Sequence, residues 1–131
     1  MITMLIVDDS TFMRDLIKKC TRGLGVEVVG EAQDGVIGVE KYKELMPDIV
    51  TLDLAMPGGN GIDALAEIMQ HNPKANVIII TSAAGQEHIV QEALELGATG
   101  VIDKTSIKPG IASYINKINY NKFLAYENDV N

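Results

Sequence analysis

Two aspartates stand side by side where the run LIVDDS, Leu5 to Ser10, leaves its apolar residues. Two like charges that close repel by roughly 3 kcal/mol at an effective dielectric of about 20. Alone, the pair could be a solvated turn at a helix N-terminus, where negative charge is welcome. It is not alone. A third apolar run ends at Asp53, a fourth at Thr81-Ser82 and a fifth at Asp103-Lys104. Asp8, Asp9 and Asp53 carry −3, Lys104 carries +1, and a divalent cation would bring the balance to zero. Hard oxygen ligands with room left for water and phosphate describe a magnesium site, and a shared cation would remove the repulsion between Asp8 and Asp9. A carboxylate beside such a cation can hold the metal or attack phosphorus. Asp53 stands apart from the pair and is the expected acceptor. Lys104 would neutralise a phosphoryl group as a point charge, and a hydroxyl from Thr81 or Ser82 would donate to a phosphoryl oxygen.

These residues can meet only if the chain brings them to one edge. Five apolar runs recur, at Met4–Val7, Val26–Val29, Asp48–Leu54, Val77–Thr81 and Gly100–Ile102. A stretch of helical spacing follows each one, such as Ile107, Ile111, Ile115 and Ile118 after the last. Continuous β-branched runs suit strands covered on both faces, and the helices supply the cover. The punctuation agrees. Ser10 or Thr11 can cap the first helix, with Gly23 and Gly25 ending it. Asp34-Gly35 opens the second helix and Pro47 stops it. Pro57-Gly58-Gly59-Asn60-Gly61 reads as a loop, and Gly97 ends the fourth helix. Repeated strand–helix units with right-handed crossovers predict an α/β doubly wound parallel sheet of five strands with five helices. Ligands of such sheets sit beyond the carboxyl ends of the strands, where the acids and Lys104 fall. The domain is expected to span residues 1–122, with 123–131 a polar C-terminal tail that frays.

Composition narrows the function. A chain of 131 residues with 47% apolar residues can bury one core. Its net charge of −7 argues against nonspecific nucleic-acid binding and against attraction to anionic membranes. Tyr114, Tyr120, Phe123 and Tyr126 are too sparse for a base-stacking platform. Cys20 is the only cysteine; no internal disulfide can form, and it is expected to pack as a small hydrophobe. No signal peptide or bilayer-spanning run is visible, so a cytoplasmic protein without membrane insertion is expected. His71 and His88 read as solvated surface residues, and Met13, Met46 and Met69 as core or helix-end packing.

The stretches "LIVDDS", "PDIVTLDLAMPGGNGIDAL", "VIIITSA" and "LGATGVIDK" together resemble the receiver domain of two-component response regulators, most of all its single-domain chemotaxis members. The resemblance covers about residues 1 to 120. It implies a flavodoxin-like fold with strand order 2-1-3-4-5. It implies that Asp53 takes a phosphoryl group from the phosphohistidine of a sensor histidine kinase, with Mg2+ as cofactor. Asp9 would bind the metal directly, Asp8 mostly through water, and the Ala55 backbone carbonyl would complete the protein ligands. Lys104 would contact the phosphoryl group. In the family the hydroxyl lies about 22 residues before the lysine and precedes a small residue. That selects Ser82, followed by Ala83, over Thr81. Output would pass to a partner protein through the surface of the fourth helix, fifth strand and fifth helix. The chain would be no enzyme beyond its own phosphorylation and dephosphorylation.

Two positions depart from the family pattern. Val101 replaces the usual aromatic residue three before the lysine, and Thr105 replaces the usual proline after it, whose preceding peptide is cis in the family. A cis bond before a non-proline residue costs ~2.5–4 kcal/mol, so a trans Lys104–Thr105 bond is expected. Other readings share part of the chemistry: a phosphorelay intermediate, a receiver acting as a phosphorylation-independent binding module, or a magnesium-dependent aspartyl phosphohydrolase. The last usually wants a second acid two residues after the nucleophile, and that position is Ala55.

Overall fold

The computed structural model describes residues 1–56, 61–82 and 87–130. The Pro57–Asn60 part of the expected loop, Ala83 and the last tail residue, Asn131, lie outside them. The elements run β1 Ile2–Val7, α1 Thr11–Cys20, β2 Val26–Ala32, α2 Gly35–Leu45, β3 Ile49–Leu52, α3 Gly61–His71, β4 Val77–Thr81, α4 Glu87–Leu96, β5 Gly100–Asp103 and α5 Ile107–Val130. A 3-10 turn, Lys104–Ser106, joins β5 to α5. The sheet is parallel, in the order β2-β1-β3-β4-β5. This is the expected doubly wound architecture.

Strand side chains alternate between the faces, and so the sheet separates two cores. Met4, Ile6, Ile78 and Ile80 face α1 and α5, where Ile17, Ile111, Ile115 and Ile118 meet them. Leu5, Val7, Val77 and Ile79 face α2, α3 and α4, against Tyr42, Leu65, Ile68 and Ala93. Both layers are apolar, which is why the strands read as unbroken hydrophobic runs. Cys20 packs in the α1–α5 layer as a buried hydrophobe.

The caps follow sequence. The Ser10 hydroxyl accepts the Met13 N–H at 3.2 Å, and the Asp34 carboxylate accepts the Ile37 N–H at 2.9 Å. Gly97 closes α4 in a left-handed conformation with φ 112°. The end of α2 falls just ahead of Pro47, as expected. Met46 takes the left-handed cap there at φ 43°, and its side chain is 48% exposed instead of packed. His71 is exposed but also lies edge-on to the Tyr42 ring, with centroids 6.3 Å apart.

Two boundaries moved. β2 extends to Ala32 because a register shift carries it past Gly30: Met4 pairs with Val28 and Leu5 with Gly30, skipping Val29. α5 does not stop near Lys122. It continues to Val130, so residues 123–130 of the expected tail are helical.

Gly100 carries a packing constraint. A Cβ there would overlap the Tyr114 phenol lying across β5. Gly100→Ala is expected to lower stability by about 1–3 kcal/mol through overpacking. In urea titrations the double variant Gly100→Ala/Tyr114→Ala should be no less stable than Tyr114→Ala alone. Additive losses would show that the ring is not the obstacle.

Candidate functional site

The carboxyl edge of the sheet assembles the acids through register. Val7 pairs with Leu52 across β1 and β3, so the next residues, Asp8 and Asp53, leave the sheet side by side. The Asp53 N–H donates to the Val7 carbonyl at 3.1 Å, and the Asp8 N–H to the Ala32 carbonyl at 3.0 Å. Asp9 follows on the turn into α1. One carboxylate oxygen from each of Asp8, Asp9 and Asp53 falls within 4.8 Å of the others. Asp8 and Asp53 are buried, whereas Asp9 is exposed.

Each buried carboxylate is partly held. Asp53 Oδ1 accepts the Ala55 N–H at 2.9 Å, and Oδ2 faces Lys104 Nζ at 3.3 Å. Asp8 Oδ1 accepts the Ser10 N–H at 2.9 Å, while Asp8 Oδ2 is buried with no hydrogen-bond partner among the described residues. Burial pushes the Asp8 carboxyl above its ordinary value of 3.8. The Ser10 N–H opposes that rise, the Asp53 charge reinforces it, Lys104 opposes it and Asp9 adds to it. An orphaned buried oxygen within a triad of hard oxygen donors fits a divalent cation better than it fits any group among the described residues.

The two hydroxyls separate clearly. Thr81 ends β4 fully buried, and Ser82, one residue on, is exposed. Val101 is half-buried and packs against the α2–α4 core. No peptide bond among the described residues is cis, so Lys104–Thr105 is trans as expected. The Asp103 carboxylate caps the turn that carries Lys104 by accepting the Thr105 N–H at 2.8 Å and the Thr105 hydroxyl at 2.7 Å. Thr105 thus braces the loop through a side-chain hydrogen bond that proline could not make.

Sequence reasoning missed Arg14. Its guanidinium donates to the Asp8 backbone carbonyl at 2.6 Å and pairs with Glu31 at 3.2 Å, and Lys18 holds the other Glu31 oxygen at 2.9 Å. The network ties the acidic turn to the edge strand β2. One signal was available: Arg14 lies four residues after the Ser10 cap, one helical turn on, and so returns to the side where Ser10 meets the acids.

A doubly wound sheet with three carboxylates and a lysine at its carboxyl edge defines an α/β protein with an acidic pocket suited to cation and phosphoryl chemistry. Residues 4–116 match the response regulator receiver domain, and the chain belongs to that family. The chemotaxis protein CheY of Thermotoga maritima is 49% identical over 114 residues, 87% of this chain and 94% of the relative. That of Bacillus subtilis is 47% identical over 113 residues, 86% and 93%. A receiver domain protein from Clostridium thermocellum superposes with TM-score 0.84 at 29% identity, covering 95% of this chain and 99% of its own. The CheX–CheY–BeF3–Mg complex from Borrelia burgdorferi matches with TM-score 0.81 at 34% identity, covering 89% and 88%. Among the described residues, no helix is long and apolar enough to cross a membrane.

Proposed function

We propose that this receiver accepts a phosphoryl group on Asp53 from the phosphohistidine of a sensor kinase, in a magnesium-dependent reaction, and signals through a partner protein in chemotaxis. The observation that carries the reading is the convergence of three carboxylates, with Lys104 against the one that stands apart from the pair. The Borrelia relative, whose complex contains beryllofluoride and magnesium, supports it.

A carboxylate oxygen of Asp53 would attack phosphorus as the bond from phosphorus to the donor imidazole breaks, and the electron pair would leave on the ring nitrogen. The Ala55 N–H fixes the rotation of the acceptor through Oδ1. Lys104, already beside Oδ2, is placed to follow the negative charge onto the phosphoryl oxygens. Asp8, Asp9, Asp53 and the Ala55 carbonyl would hold Mg2+, which when bound supplies positive charge to the phosphoryl oxygens. Ser82 is the hydroxyl free to move toward the modified Asp53, since Thr81 is locked in the sheet. With Val101 short and nearly fixed at χ1, that movement would reach the α4–β5–α5 surface through backbone and loop shifts. That surface would carry output to the partner. The cytoplasm suits this role, and no turnover of an external substrate is part of it.

Intact mass after incubation with acetyl phosphate tests the reading. One added phosphoryl group is expected with magnesium and none after chelation by EDTA. Equal labelling in both samples would remove the metal from the reaction. Steady hydrolysis of a phosphate ester would make the chain a phosphohydrolase.

A further inference from the structure

The last turns of α5 have an outer face that lies beyond the receiver match. The family match ends at residue 116, but the helix runs fourteen residues further, to Val130. Its inner face is anchored by Ile111, Ile115 and Ile118 in the core and then by Lys122, whose Nζ lies 3.2 Å from Asp48. At about 100° per residue, Tyr120, Phe123 and Leu124 lie roughly 120–160° around the helix from Ile118. They point away from the body, with Tyr120 61%, Phe123 56% and Leu124 41% exposed. Asn116, Tyr120, Phe123 and Glu127 recur at intervals of four, three and four, the spacing of a two-helix seam.

We propose that this face pairs with the same face of a second copy, with the two α5 helices antiparallel. The charges select the occupant and its direction. Residues 117–130 hold two lysines and two acids and are neutral, in a chain of net −7, so two copies can approach here without mutual repulsion. Antiparallel helices that set Tyr120 against the partner's Phe123 also set Asn116 against the partner's Glu127, with Lys117 beside it. Each Glu127 carboxylate then gains an amide donor and a cation. A parallel pair would stack Glu127 on Glu127. With only a few apolar side chains from each copy, the dimer is weak and concentration-dependent.

Sedimentation equilibrium of the whole chain tests this, in about 0.15 M salt, where charges more than ~8 Å apart are screened. A monomer–dimer equilibrium with Kd on the order of 100 µM is expected. Phe123→Glu should weaken it at least about tenfold, with unchanged circular dichroism and unchanged acetyl phosphate labelling. Glu127→Lys should also weaken it, and adding Lys117→Glu should restore it. In a Cys20→Ala background, copies carrying Asn116→Cys and copies carrying Glu127→Cys should form a mixed disulfide. A chain that stays monomeric throughout, as it would if a different protein covers the stripe, overturns the proposal. So does a dimer indifferent to Phe123→Glu, or Asn116→Cys copies that link to each other.

Discussion

Asp53→Asn is expected to take up no phosphoryl group from acetyl phosphate while remaining folded. The loss should be complete, because an amide oxygen is a far weaker nucleophile than a carboxylate and neither neighbour offers a substitute. Asp8 is buried, with one oxygen held by the Ser10 N–H. Asp9 is exposed and has no lysine against it among the ion pairs of the described residues, whereas Lys104 sits on Asp53. The substitution removes one of three crowded charges, so it should not weaken the fold. Magnesium affinity should fall, since one oxygen donor becomes an amide. Lys104→Ala should separate the roles: metal binding should survive and labelling should slow, because this cation serves the transferred group. The measurement is intact mass over time for the wild type and both variants. Continued labelling of Asp53→Asn at the wild-type rate would move the acceptor to Asp8 or Asp9 and sink the assignment.

The second large effect is on stability, and its sign runs against ordinary intuition about polar residues. Asp8→Asn should make the metal-free protein more stable. The buried, unpartnered oxygen and the neighbouring charges raise the Asp8 carboxyl above 3.8 in the folded state. A group raised on folding favours the fold fully below its unfolded value and loses that contribution as pH rises through its folded value. Above that folded value the ionised Asp8 therefore destabilises the metal-free fold. Replacing it should recover about 1–2 kcal/mol, or about 3–8 °C in the melting midpoint of a chain this size. The advantage of the variant should be smallest in acid, grow as pH rises through the folded Asp8 value and then level off. Magnesium should reverse the order, stabilising the wild type by mass action and Asp8→Asn much less. Thermal melts across pH, with and without magnesium, check all three parts. A variant less stable than the wild type without metal above that folded value would show that the oxygen is already satisfied.

Asp48 titrates in the opposite sense. Burial alone would raise its carboxyl, but the Thr3 N–H and Lys122 outweigh that and hold it below 3.8. Its contribution is present above 3.8 and lost as pH falls through the lowered value. Asp48 therefore loses its contribution on the acid side of 3.8, whereas Asp8 loses its contribution above 3.8.

Much of this was legible in sequence because the strands are covered on both faces. A doubly covered strand must be apolar throughout, so Val77–Thr81 and Met4–Val7 could be read directly. The acids could be placed because residues that end parallel strands share one edge whatever the loops do. Features that depend on pairing or on a backbone partner were hidden. The skip at Val29 lets β2 continue through Gly30, a residue that usually interrupts a strand. Asp53 and Leu54 were read as part of the third strand, yet the ladder stops at Leu52, where the chain turns toward the site. Arg14 lies one turn after the Ser10 cap, which puts it on the side of the acids, but its partner is a backbone carbonyl, and every residue has one, so the spacing does not name the contact. The length of α5 was missed because its polar composition outweighed the three-and-four spacing of Tyr120, Phe123 and Glu127. Which of Asp8 and Asp9 is buried could not be read from two identical neighbours either. The strand's alternation and the turn into α1 decide it.

The Asp48 contacts also fix where the chain can be handled. Its carboxylate accepts from the Thr3 N–H at 2.9 Å and meets Lys122 at 3.2 Å, so the first strand and the late part of the last helix are clasped together where β3 begins. That is the edge opposite Asp8 and Asp53. A fluorescent reporter or an immobilising tag joined at either end of this sequence would hang on the far side from the acids. It would leave the approach of a phosphodonor open, whereas an insertion beside Gly61, packed against the Asp53 carbonyl, would obstruct it.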